Sequence, residues 1–99
     1  LRSVFLDYCS FGGDASDAMP NDKFSKCVKE AGLTKRGVLS TTEVDIIFSK
    51  VKTRGVRRIT YQQFLQALEL VGEKVHPALD ATQRRMAVID RIVSHGGPE

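Results

Sequence analysis

The chain has 99 residues, 41% of them apolar and 27% charged, enough for one small domain around one core and an ordinary globular composition. Its formal charge of +3 and sequence pI near 9.1 are weaker than dedicated nucleic-acid binders carry, so no nucleic-acid partner is expected, whereas a partner with an acidic surface suits it. No run of about 18 apolar residues occurs, so no membrane span is expected.

Five helical segments follow in chain order. The first holds Leu1, Val4, Phe5 and Tyr8 at a spacing of three and four, and ends near Gly12-Gly13. A polar stretch, GGDASDAMPND, leads to a second helix after Pro20, with Asn21 or Asp22 as its cap. Phe24, Cys27, Val28 and Ala31 line that helix, and Gly32 is placed to stop it. The third opens on Ser40 with Glu43 three residues on, a capping box, and carries the stripe Val44, Ile47, Phe48 and Val51. The fourth opens on Thr60 with Gln63, a second box, and runs through Tyr61, Phe64, Leu65, Leu68 and Val71 towards an expected end at Gly72. GEKVHP then reads as a connection. The fifth starts near Asp80, has Gln83 three residues on, and carries Met86, Ile89, Ile92 and Val93 as its stripe before HGGPE. Strands are expected only as a few residues around Met19 and around Ile59. Cys9 and Cys27 lack a CxxC spacing and fall on apolar helix faces, as buried thiols of a reduced, intracellular protein would. The chain opens on Leu1 and turns polar within a few residues, so a trimmed or partial chain without a signal peptide is expected.

The segments between the first and second helices, and between the third and fourth, have the layout of EF-hand loops. Such a loop needs oxygen ligands at its first, third, fifth and twelfth residues and an apolar eighth residue that pairs with its twin. With Ile59 as eighth, Lys52 is first, Arg54 third, Val56 fifth and Gln63 twelfth. With Met19 as eighth, Gly12 is first, Asp14 third, Ser16 fifth and Lys23 twelfth. In both, a Phe lies five residues after the apolar one: Phe24 and Phe64. The framework fits and the ligands do not, because fixed cations at ligand positions repel a divalent ion. The fold expected is all-α: a single domain over 1–99, built as a degenerate EF-hand-like pair of helix-loop-helix units plus a C-terminal fifth helix, with no calcium dependence.

Catalytic and cofactor signatures are missing. There is no GxxxxGK[ST], GxGxxG, GxSxG or HExxH, and His76 and His95 stand apart from any Cys pair with ligand spacing, as helix-terminal or solvated side chains. No metal, no cofactor and no enzymatic activity are expected. The outstanding surface feature is cationic: Lys50, Lys52, Arg54, Arg57 and Arg58 fall within nine residues of one loop, while Lys23, Lys26 and Lys29 add charge on the second helix and Lys35 with Arg36 follow it. No aromatic platform accompanies them, since Tyr61 and the phenylalanines sit at core spacing.

STTEVDIIFSKVKTRGVRRITYQQFLQAL, residues 40–68, resembles the central block of the tubulin polymerization-promoting protein family. FGGDASDAMPNDKFSKCVKEAG is similar to that family's first half, and MAVIDRIVSHGGPE to the last helix of its core. The resemblance implies an EF-hand-like helical domain that binds tubulin and microtubules and promotes their assembly, bundling or stabilisation, in the cytoplasm and cytoskeleton and, for short members, in cilia and flagella. Longer members carry a disordered extension with a basic segment. Members have been linked to zinc binding and weak nucleotide hydrolysis, but no ligand set or phosphate loop stands in this sequence to carry either. Tubulin exposes acidic tails, so Lys50, Lys52, Arg54, Arg57 and Arg58 are the expected contact. Two other readings remain: a scaffold module holding a partner helix in an apolar groove near the fifth helix, and a small enzyme, for which no residue set can be named.

Overall fold

A computed structural model describes residues 1–13 and 16–98 of the chain. Five helices carry it: α1 (Arg2–Ser10), α2 (Asn21–Glu30), α3 (Thr41–Val51), α4 (Tyr61–Val75) and α5 (Ala81–His95). Two short strands, β1 (Met19–Pro20) and β2 (Arg58–Ile59), pair antiparallel with Met19 opposite Ile59 and Pro20 opposite Arg58. The all-α expectation holds, and the two short extended segments sit where the sequence placed them. Two helix-loop-helix units, α1–α2 and α3–α4, are thus joined at their loops, and α5 packs on α4 and α2.

Helix starts follow local chemistry. The Ser40 and Thr60 hydroxyls accept from the N–H of Glu43 and Gln63, and the two longer side chains reach back to the cap N–H groups. Asp80 and Gln83 form a third box at α5. Each box supplies partners for backbone N–H groups that a helix start otherwise leaves open. The α2 expectation is corrected: Pro20 is the cap residue and no side chain caps it, because both Asn21 and Asp22 already lie inside the helix. Gly32 does stop α2. Its φ is +73°, its N–H donates to Lys29 O, and Leu33 N–H donates to Val28 O. That pair of bonds closes the helix end, and the left-handed residue between them favours glycine.

The core gathers at the joined loops. Phe24 and Phe64, each just past a loop, are fully buried with Met19 and Ile59. Phe64 lies 5.0 Å from Phe5, 6.3 Å from Phe24 and 6.4 Å from Tyr61, ring centre to ring centre, and Phe24 lies 6.0 Å from Phe48. Phe24 and Phe64 meet edge to face, Tyr61 stacks on Phe64 and the other two pairs are tilted, and such contacts add aromatic attraction to the burial of their area.

Two further expectations are corrected. Gly72 does not end α4, which continues through Val75, so part of GEKVHP is helical. A Cβ at Gly72 would stand 3.1 Å from Arg84 Cβ and 3.4 Å from Val88 Cγ2, so glycine there lets α5 approach closely. The stripe of α5 is also turned. Val88 and Ile92 are buried, whereas Met86 is 66% and Val93 45% exposed. Arg84 and Arg91 account for the rotation. Arg84 donates to His76 O at 3.0 Å and Pro77 O at 2.9 Å, and Arg91 donates to Ala31 O at 3.2 Å and Gly32 O at 3.4 Å. They tie α5 to the carbonyl ends of α4 and α2, where cations are favoured.

Candidate interaction surface

The loop at residues 52–63 is closed by its own polar groups. Gln63 Oε1 accepts from Thr60 N–H at 2.9 Å while Gln63 Nε2 donates to Thr53 Oγ1 at 2.9 Å. The side chain at the twelfth position therefore bridges the loop instead of pointing an acceptor at an ion. Gly55 has φ +80°, and Val56 N–H donates to Thr53 O at 3.0 Å, so residues 53–56 form a tight turn at the tip.

Four of the five expected contact residues present charge outward. Lys50, Arg54 and Arg57 are exposed and Lys52 is half-buried. Among the described residues, none of these four pairs with an acidic side chain. Arg58 is set apart: it is half-buried in β2, and its guanidinium reaches the Ala18 carbonyl at 3.5 Å. It links the two loops instead of joining the outward cluster.

The loop at 12–23 manages its charge differently. Asp14, the third position, lies outside the described residues. At the fifth position, Ser16 Oγ both accepts from Ala18 N–H and donates to Ala18 O, each at 3.1 Å. Lys23, at the twelfth, has a side chain only 17% exposed. Its ammonium sits 5.0 Å from the Phe11 ring centre, and that of Lys26 sits 4.7 Å from it. Phe11 is thus held by two cations, an attraction to the ring face that the sequence reading missed. The spacing of Phe11 to a lysine at each of two positions on the following helix was its only signal.

Inside α2, Glu30 accepts from the Tyr8 hydroxyl at 2.7 Å and from Lys26 Nζ at 2.6 Å, and His95 Nε2 lies 3.8 Å away. Both cysteines are buried thiols. Burial, and then the nearby Glu30 carboxylate, pushes the Cys27 thiol up to about 12, which keeps it protonated and unreactive. In α3 the Glu43 carboxyl is held below its usual range, first by the Ser40 N–H bond and then by Lys74, 3.3 Å away. Among the described residues, no three His, Cys, Asp or Glu side chains gather as a metal site needs, and no helix is long and apolar enough to cross a membrane. The outer side of α5 presents Met86, Ala87, Ile89 and Val93 around Asp90 as a shallow apolar depression.

Comparison with known proteins bears out the resemblance carried by residues 40–68. The p25-alpha family model matches residues 2–99. Tubulin polymerization-promoting protein family member 2 of Homo sapiens is 40% identical over 75 residues, covering 74% of this chain and 44% of that protein. Family member 3 of Xenopus laevis is 39% identical over 76 residues, covering 75% and 43%. Tubulin polymerization-promoting protein of Rattus norvegicus is 38% identical over 56 residues, covering 57% and 26%. The chain spans less than half the length of these curated relatives.

Proposed function

The chain belongs to the p25-alpha family, and on that premise we propose that it is a non-enzymatic, cytoskeletal module that binds tubulin and microtubules and promotes their assembly, bundling or stabilisation without calcium. The contact is the outward charge at the end of α3 and on the 52–63 loop: Lys50, then Lys52, Arg54 and Arg57, with Arg58 reaching from β2 to the Ala18 carbonyl. One observation carries the reading: four cations without acidic partners among the described residues stand together, Lys50 at the end of α3 and Lys52, Arg54 and Arg57 on a loop tied by Gln63–Thr53 and Met19–Ile59. Cations without acidic partners among the described residues, as Lys50, Lys52, Arg54 and Arg57 are, break no ion pair with those residues before meeting an acidic surface. Each exposed contact contributes roughly 0–1 kcal/mol, so the loop acts collectively and weakens as salt screens it.

Co-sedimentation with microtubules at low and moderate salt tests this. Changing Lys50, Arg54 and Arg57 together to Glu reduces pelleting at low salt by about tenfold or more, from roughly three contacts near the middle of that range. Unaltered pelleting of the triple variant sinks the proposal. The exposed Met86 and Val93 favour a second reading, a partner helix seated on α5. Under that reading, binding resists salt and is lost on changing Met86 and Val93 to Lys.

A further inference from the structure

We infer that the turn at residues 35–38 is a second binding tip for acidic peptide, matched to the tip at 53–56, so that one chain engages acidic segments at two places. The inference rests on reading the 52–63 loop as a contact for an acidic partner, and extends it to a segment outside that loop.

The two tips share sequence and shape. Each is Arg-Gly-Val: Arg36-Gly37-Val38 and Arg54-Gly55-Val56. In each, the valine N–H donates to the carbonyl three residues back, Val38 to Lys35 O and Val56 to Thr53 O, both at 3.0 Å. Both glycines have φ +80°, a conformation glycine adopts without strain. A Cβ at either glycine would meet nothing within 4 Å, so both tips stand clear of the rest of the molecule. Both arginines are exposed, and the valines are 40% and 45% exposed. Each tip leads into a fully buried anchor. Leu39 bridges back to Lys35 through bonds of 3.0 and 2.8 Å, and Ile59 pairs with Met19.

One exposed valine is ordinary surface. The same valine beside the same arginine on the same turn, twice, is a repeated recognition shape. The guanidinium fork suits a carboxylate, and the valine methyls offer a surface to the aliphatic stem of a glutamate. Lys35 stands beside the first tip, and Lys52 and Arg57 beside the second. Among the described residues, none of Lys35, Arg36, Lys52, Arg54 and Arg57 pairs with an acidic side chain. Nucleic acid fits less well, because neither tip carries an aromatic ring for a base to stack on. The tips lie at opposite ends of α3, whose eleven residues rise about 16 Å. Two separated weak contacts raise overall affinity when both are engaged.

Titration of the isotope-labelled 99-residue chain with a hexaglutamate peptide at low salt, followed by amide NMR, tests this. Amides of residues 35–38 and 53–57 shift over the same concentration range. Arg36→Glu weakens the response at 35–38 by about two- to fivefold and spares 53–57, and Arg54→Glu does the reverse. Both variants keep the wild-type spread of amide signals, since both arginines are exposed. Shifts at 53–57 alone overturn the second tip and leave the first contact standing. Shifts at neither overturn both. Equal shifts with a single-stranded hexanucleotide or with anionic vesicles overturn acidic peptide as the partner.

Discussion

In the loop at 12–23, Lys23 is 17% exposed and, with Lys26, lies over the Phe11 ring. In the loop at 52–63, Arg54 and Arg57 point into solvent and Gln63 ties the loop shut. The two loops hold equivalent places: each carries at its eighth position a strand residue of the shared ribbon, Met19 or Ile59, and each is followed by a buried Phe. What differs is where the positive charge goes. At the first loop Lys23, with Lys26 of α2, lies over the ring of Phe11 just before the loop, whereas at the second Arg54 and Arg57 stand exposed. A shared framework therefore leaves loop chemistry free to diverge, because the framework depends on two apolar residues per unit and the polar positions between them do not enter the core.

The largest test of that equivalence is truncation of the two anchors. Phe24→Ala and Phe64→Ala each remove a fully buried ring and cost about 3–5 kcal/mol in urea unfolding. Phe64 meets three rings and Phe24 two, so Phe64→Ala is the worse of the pair. A mild Phe24→Ala would break the equivalence of the units. A smaller effect sharpens the contrast between the loops. Gln63→Ala removes both the Thr60 and the Thr53 bonds and lowers unfolding free energy by about 1–2 kcal/mol. Lys23→Ala removes one cation from Phe11 and costs about 0.5–1 kcal/mol. The reverse order in thermal denaturation would mean that the first loop is the more tightly closed one. The smallest expected effect is none: added calcium, or a chelator, leaves the melting temperature of the chain unchanged, because neither loop aims a carboxylate from its twelfth position. A calcium-dependent rise traced to residues 12–23 would show that the first loop retains a cation site.

Much of the fold was legible because its signals are short-range. The boxes at Ser40 and Thr60 join residues three apart, and Gly32 stops α2 through bonds within one turn. The Met19–Ile59 pairing is long-range, yet it was readable because both residues stand five before a Phe in matching loops. Gly72 misled because a glycine that ends a helix and one that admits a neighbouring helix look alike until the neighbour is present. The face of α5 misled for a related reason. Met86, Ile89, Ile92 and Val93 form a sound helical stripe, but the tethers of Arg84 and Arg91 turn Val88 and Ile92 inward instead. Within the candidate surface, the cationic residues were visible as a run, whereas the inward reach of Arg58 was not.

The sequence by itself determined the helices, the capped starts of α3, α4 and α5, the paired loops and the family, since those rest on hydrogen bonds and apolar spacing within a few residues. Only the tertiary structure decided which charges face out, which face of α5 is covered, and that two Arg-Gly-Val turns stand clear of the chain. Those properties depend on what each side chain meets from distant segments, and neighbours across the fold are not written in local spacing.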